Sequence, residues 1–102
     1  MNEWRSVARD ADLVEGDMLL YEQGDILIGI ARANSAVYAF DDTCTHEECS
    51  LTEGRLDEDE VVCQCHGSVF NITTGEVLLG PATEPIRTYP VQVQDGEIRV
   101  QV

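Results

Sequence analysis

The chain has 102 residues and carries 20 Asp and Glu against six basic residues, all Arg, for a formal net charge of -14. A chain this short is one domain with a modest core, and a field this negative repels nucleic acid while suiting brief, steered, salt-sensitive encounters with a basic protein patch. No run of 18 apolar residues exists to cross a bilayer, and the start, Met1-Asn2-Glu3-Trp4-Arg5, lacks the basic and apolar regions of a secretory signal, so a cytoplasmic location is expected.

In chain order, Trp4 opens a first strand and is expected to anchor it to the core. Apolar runs at Met18 to Tyr21, Ile26 to Ala31 and Val37 to Phe40 are separated by Glu15-Gly16-Asp17, Gln23-Gly24-Asp25 and Arg32-Ala33-Asn34-Ser35, which is hairpin spacing. No window sustains a capped helical period, and Asp57 to Glu60 predicts a solvated turn leading into Val61 and Val62. At the far end Tyr89, Val91 and Val93 alternate with polar residues, Asp95-Gly96 makes a tight turn, and Ile98, Val100 and Val102 resume the period of two. That pattern predicts a hairpin with one buried face, with Tyr21, Tyr38 and Tyr89 as packed aromatics of half-buried strands.

Between these ends, from Asp41 to about Pro85, lie all four Cys, both His and a concentration of turn residues, among them Gly54, Gly67, Gly75, Gly80 and Pro81. Cys44-Thr45-His46 is followed, after an interval, by Cys63-Gln64-Cys65-His66, a Cys-x-His pair matched by a Cys-x-x-His pair. Two such pairs imply two similar loops meeting at one centre. Thiolate and imidazole suit zinc, copper or iron-sulfur chemistry, so ligand type alone leaves the metal open. A zinc finger keeps its Cys pair and its His pair apart, whereas here each loop brings one of each, which fits a binuclear site with both Cys on one iron and both His on the other. Two thiolates on an oxidised two-iron core leave it neutral, and a neutral site accepts an electron more readily than the dianion that four thiolates would give.

These two segments, with Gly67-Ser68 after the second, resemble the two boxes of the Rieske family, and Gly80-Pro81-Ala82 resembles its proline-containing loop. The resemblance covers nearly the whole chain. It implies an all-β, Rieske-like fold of stacked antiparallel sheets: a single domain, 1–102, with a cluster-binding subdomain over about 42–85 on a base formed by 1–41 and 86–102. One [2Fe-2S] cluster is implied on Cys44, His46, Cys63 and His66, with Gly67, Ser68, Phe70 and Pro81 around it. Ser68 matches the serine that bonds a cluster sulfide, and Phe70 stands where respiratory members have a tyrosine and is expected to cover the cluster from water. Thr45, Gln64 and Gly67 are expected to offer backbone N–H groups to the sulfurs, with a positive φ at Gly67.

Within the family the chain is similar to the ferredoxin components of bacterial aromatic ring-hydroxylating dioxygenases, which carry electrons from an NAD(P)H-dependent flavoprotein reductase to a terminal oxygenase. The chain is then an electron carrier and not an enzyme, with no small-molecule substrate, nucleic acid or membrane among its partners. The alternative is the small subunit of a larger oxidoreductase such as nitrite reductase. Cys49 and Cys65 depart from the ferredoxin pattern, falling where respiratory members have a disulfide between their cluster loops, and the alternative there is two buried free thiols.

Glu47 and Glu48 bring negative charge beside His46, and with Phe70 they predict a potential in the lower half of the Rieske range of about -150 to +300 mV. Arg55 and Arg87 are expected to pair with the abundant acids. The free ring nitrogens of the two His predict a potential that falls at high pH.

Overall fold

The computed structural model describes residues 3–45, 49–65 and 67–102. These build eleven strands and no α-helix, arranged as three antiparallel sheets. The first sheet has the order β1 (Trp4–Arg9), β11 (Glu97–Gln101), β10 (Val91–Gln94). The second runs β2 (Met18–Gln23), β3 (Ile26–Ala33), β4 (Ala36–Asp41), β9 (Thr88–Tyr89). The third runs β5 (Arg55–Asp57), β6 (Glu60–Val62), β7 (Val69–Asn71), β8 (Val77–Leu79), and so lies wholly inside the Cys- and His-bearing segment.

Tight turns fix the registers. Asn34 and Ser35, at φ 52° and 66°, join β3 to β4, and Asp95 and Gly96, at φ 54° and 77°, join β10 to β11. Two successive positive φ values match the right-handed twist of the strands they connect. The strain at Asn34 and Ser35 is offset by Glu15, whose carboxylate accepts both of their N–H groups at 2.7 and 3.0 Å. The acidic turn between β5 and β6 has Glu58 at φ 56°.

The second sheet is the middle layer, and this explains the composition of β3. Ile28 and Ile30, with Ala39 of β4, pack against Leu13, Ile98 and Val100 on the side of the first sheet. Ala31, Ala33 and Phe40 pack on the other side against Leu51, Val61, Phe70, Ile72, Ala82 and Ile86. A strand covered on both faces reads as a continuous apolar run, as β3 does, and not as an alternation. From Gly29 to Ala33 its second face carries only small residues because Phe40 needs the room: a Cβ on Gly29 would lie 2.5 Å from the Phe40 ring. Each fully buried Ile or Phe contributes about 1.5–3 kcal/mol by leaving water.

Two expectations fail here for reasons of position. Trp4 is 44% exposed, because it sits at the outer end of edge strand β1, beyond the core that Val7 and Ala8 reach. The strand expected from Tyr89 to Val93 is divided at Pro90, with Tyr89 paired to Ala39 in the second sheet and Val91 paired to Val100 in the first. Proline has no N–H to give a ladder, so it serves as the corner where the chain changes sheets. Val93, on the free edge of that first sheet, is 47% exposed although its partner Ile98 is buried.

Candidate metal centre

Two loops of similar design carry the cysteines. In the first, Thr43 and Ser50 form an isolated antiparallel bridge and the Cys44 N–H donates to the Cys49 carbonyl at 2.9 Å. In the second, between β6 and β7, the Cys63 N–H donates to the Ser68 carbonyl at 2.8 Å. Each cysteine thus opens a loop closed onto the residue five positions later, and both side chains turn inward. Cys44 and Cys63 are free thiols, 2% and 0% exposed, in the core shared with Phe40, Val61 and Phe70.

The first loop is held by a residue that composition alone did not single out. Asp42 is buried, and its carboxylate accepts the Ser50 hydroxyl at 2.5 Å and the Thr52 N–H at 2.8 Å. Its carbonyl accepts the Leu51 N–H at 2.7 Å. A buried charge is retained only where hydrogen bonds replace its water, and here both loop ends supply them. Asp42, Ser50 and Thr52 were legible only as polar loop residues. Gly54, next along, passes so close to β6 that a Cβ there would lie 2.0 Å from the Val62 carbonyl oxygen.

The second loop is closed by backbone. Gly67 adopts φ 74°, as expected, but its N–H, expected to face a sulfur, donates to the Cys63 carbonyl at 2.9 Å because the left-handed turn closes the loop onto itself. Ser68 is buried, and its Oγ accepts the Ala82 N–H at 3.0 Å. The Thr45 hydroxyl donates to the Glu84 carbonyl at 2.7 Å. The segment holding Gly80, Pro81 and Ala82 is therefore fastened to both loops, with Ala82 buried and Pro81 exposed. Cys49 and Cys65 are joined in a disulfide with Cα atoms 6.5 Å apart, tying the loops to each other on their outer side, where Cys65 is exposed. His46, Glu47, Glu48 and His66 lie outside the described residues.

Phe70 is fully buried, opposite Val61 across β6 and β7, in the same core cluster as the two thiols. Among the described residues the ion pairs are Arg5–Glu3, Arg32–Asp10 and Arg99–Glu97. Arg87 lies over the Tyr89 ring, 5.0 Å from its centroid, and Arg55 lines a shallow depression with Glu53, Cys63, Gln64 and Gly67. Burial and the adjacent Asp41, which accepts the Tyr89 hydroxyl at 2.5 Å, push the Tyr89 phenol up to about 12.

The residues present fit an iron-sulfur cluster. Two buried thiols without a disulfide partner are soft anionic ligands once deprotonated, and such ligands suit iron-sulfur chemistry. The Ser68 oxygen takes up one N–H and leaves its own proton with no acceptor among the described residues, a donor ready for a sulfide.

Comparison with known proteins agrees with this chemistry. Residues 3–90 match the family described as the Rieske [2Fe-2S] domain, and the chain belongs to that family. It is an electron-carrying protein of ferredoxin type with one [2Fe-2S] cluster. It is 36% identical to ferredoxin CarAc of Metapseudomonas resinovorans over 98% of this chain and 95% of that one. It is 37% identical to the 3-phenylpropionate/cinnamic acid dioxygenase ferredoxin subunit of Escherichia coli, over 90% and 87% of the two chains. Among solved structures, a chain from the complex of reduced oxygenase and oxidized ferredoxin in carbazole 1,9a-dioxygenase superposes with a TM-score of 0.92 at 36% identity, covering 95% of this chain and 91% of that one. No helix among the described residues is long and apolar enough to cross a membrane.

Proposed function

We propose that this chain carries single electrons in the cytoplasm from an NAD(P)H-dependent flavoprotein reductase to the terminal oxygenase of an aromatic ring-hydroxylating dioxygenase system. The observation that carries the reading is the pair of buried free thiols, Cys44 and Cys63, presented by matched loops in a chain that spans ferredoxin relatives almost end to end. Relatives named as dioxygenase ferredoxins, one of them from a complex with its oxygenase, support both the direction of transfer and the kind of acceptor.

The bound cluster supplies reversible one-electron chemistry. Cys44 and Cys63 would hold one iron and His46 and His66 the other, within a single domain whose 42–85 segment forms the cluster-binding part. Ser68 would donate its hydroxyl proton toward a sulfide, and the loop backbone around Gly67 would offer N–H groups to others. Burial of both thiols keeps water from the cysteine side and limits the rearrangement that a change of charge demands. The charge of -14 steers the approach of partners bearing basic patches.

Potentiometric titration of the purified protein, followed by electron paramagnetic resonance of the reduced form, tests this reading. A rhombic signal appearing at about -150 to 0 mV is expected. A midpoint above about +200 mV would overturn the reading, because delivery to an acceptor in the lower half of the Rieske range of about -150 to +300 mV would then run uphill. The alternative, a small subunit of a larger oxidoreductase, predicts a chain that cannot be purified without its large partner. Transfer to an oxygenase should slow as salt is raised, and a salt-independent rate would detach the acidic surface from recognition.

A further inference from the structure

Cys49, Cys63 and Cys65 place three sulfur atoms within 4.8 Å of one another, the one such group of potential metal ligands among the described residues. Only Cys63 belongs to the ligand set assigned to the cluster, and the other two are tied up in the disulfide. We propose that, when the disulfide is reduced and the cluster is absent, these three cysteines form a separate site for one thiophilic divalent cation such as zinc or cadmium, in competition with cluster insertion.

The argument is geometric and chemical. A tetrahedral centre with metal–sulfur bonds of about 2.3 Å holds its sulfurs about 3.8 Å apart. Cys63 lies within 4.8 Å of its two neighbours, and once the bond between Cys49 and Cys65 is gone their sulfurs need only swing apart on backbones set 6.5 Å apart at Cα. Reduction by a dithiol balances as an exchange: the dithiol becomes a cyclic disulfide and its two hydrogens end on Cys49 and Cys65 as thiols. Binding then releases the three thiol protons to solvent and leaves three thiolates on the cation, with the fourth position open to water. Cys65 is exposed and Cys49 half-buried, so both reductant and cation can enter from the outside, while Cys63 sits at the buried end. Because Cys63 would serve both centres, occupation of this site withholds a cluster ligand. The disulfide, by removing two of the three thiols, closes the site.

The test uses the full chain, stripped of cluster, reduced with a dithiol that is then removed under anaerobic conditions, and titrated with cadmium. Sulfur-to-cadmium charge-transfer absorbance in the ultraviolet should rise to one equivalent per chain. The double variant Cys49→Ser/Cys65→Ser should lose that band, and because it keeps all four assigned cluster ligands its cluster-loaded form verifies that the chain folds. Cys44→Ser should keep the band. The chain with its disulfide intact should show at least a tenfold weaker response. The proposal is overturned if Cys44→Ser loses the band while the double variant keeps it, since the cation would then sit on the cluster's own ligands. Equal binding with the disulfide intact, or no stoichiometric band at all, overturns it as well.

Discussion

The two ligand loops do the same work by different means. Each begins with a cysteine whose N–H reaches the carbonyl five residues on, and each turns its thiol into one common core. The first loop is gathered by side chains converging on the Asp42 carboxylate. The second is closed by backbone, through the left-handed Gly67 and its N–H to the Cys63 carbonyl, and a side chain, that of Ser68, enters only to fasten it to Ala82. Similar cysteine geometry therefore rests on a buried charge in one loop and on conformational permission in the other, and the loops should fail under different substitutions.

The largest effect should be common to both. Cys44→Ser and Cys63→Ser each remove a thiolate, and both proteins should be colourless and silent in electron paramagnetic resonance after cluster reconstitution. A variant that kept a normal rhombic signal would break the equivalence of the loops. Next, Asp42→Ala leaves the Ser50 hydroxyl and the Thr52 N–H without their acceptor in a buried place. At about 1–3 kcal/mol for each of these two unsatisfied groups, urea denaturation should show a loss of about 2–6 kcal/mol, with Asp42→Asn recovering part of it. Gly67→Ala should cost about 1–2 kcal/mol for the left-handed conformation alone, because a Cβ there meets nothing within 4 Å. A larger loss at Gly67 than at Asp42 would reverse the comparison.

Ser68→Ala probes the side of the second loop that faces the cluster. It removes the hydroxyl proton assigned to a sulfide as well as the acceptor of the Ala82 N–H. A hydrogen bond worth about 1 kcal/mol more to the reduced state corresponds to a fall of about 40 mV in a one-electron potential. Protein-film voltammetry of the variant checks it, and an unchanged potential would restrict Ser68 to holding the Ala82 segment.

Much of this was readable from the residues because the signals were local. Cysteine and histidine at short spacing, Gly67 where a positive φ is needed, and turns such as Asp95-Gly96 announce themselves without tertiary information. What was missed depends on partners distant in sequence or on place within a sheet. Nothing near Asp42 marks it as a buried acceptor rather than one more acid among 20, since Ser50 and Thr52 reach it only after the loop closes. Trp4 and Tyr89 were both read as packed aromatics. Trp4 falls at the outer end of an edge strand, whereas Tyr89 does pack against the core and only its strand is set apart from Val91, by a proline that alternation of polarity does not register.

The smallest effect concerns the entry to the first loop, for which the described residues of the second show no counterpart. Asp41, immediately before Asp42, accepts the Tyr89 hydroxyl and donates its own N–H to the Arg87 carbonyl at 2.8 Å, so β9 clamps the point where β4 becomes the loop. The phenol is raised to about 12 in the folded protein from 10 in the unfolded chain, so between those values the folded state holds the proton more firmly. Its contribution to stability is therefore complete below pH 10 and lost as the pH rises through 12. Tyr89→Phe should cost about 1 kcal/mol at neutral pH for the missing hydrogen bond. It should also lose less stability than the parent between pH 9 and about pH 11.5, when both are unfolded by urea. Hydrogen exchange over the same range should quicken at Cys44 before Cys63 in the parent, and in the variant the two should keep their order at every pH. Equal acceleration at both cysteines would show that the clamp serves the whole domain and not the first loop.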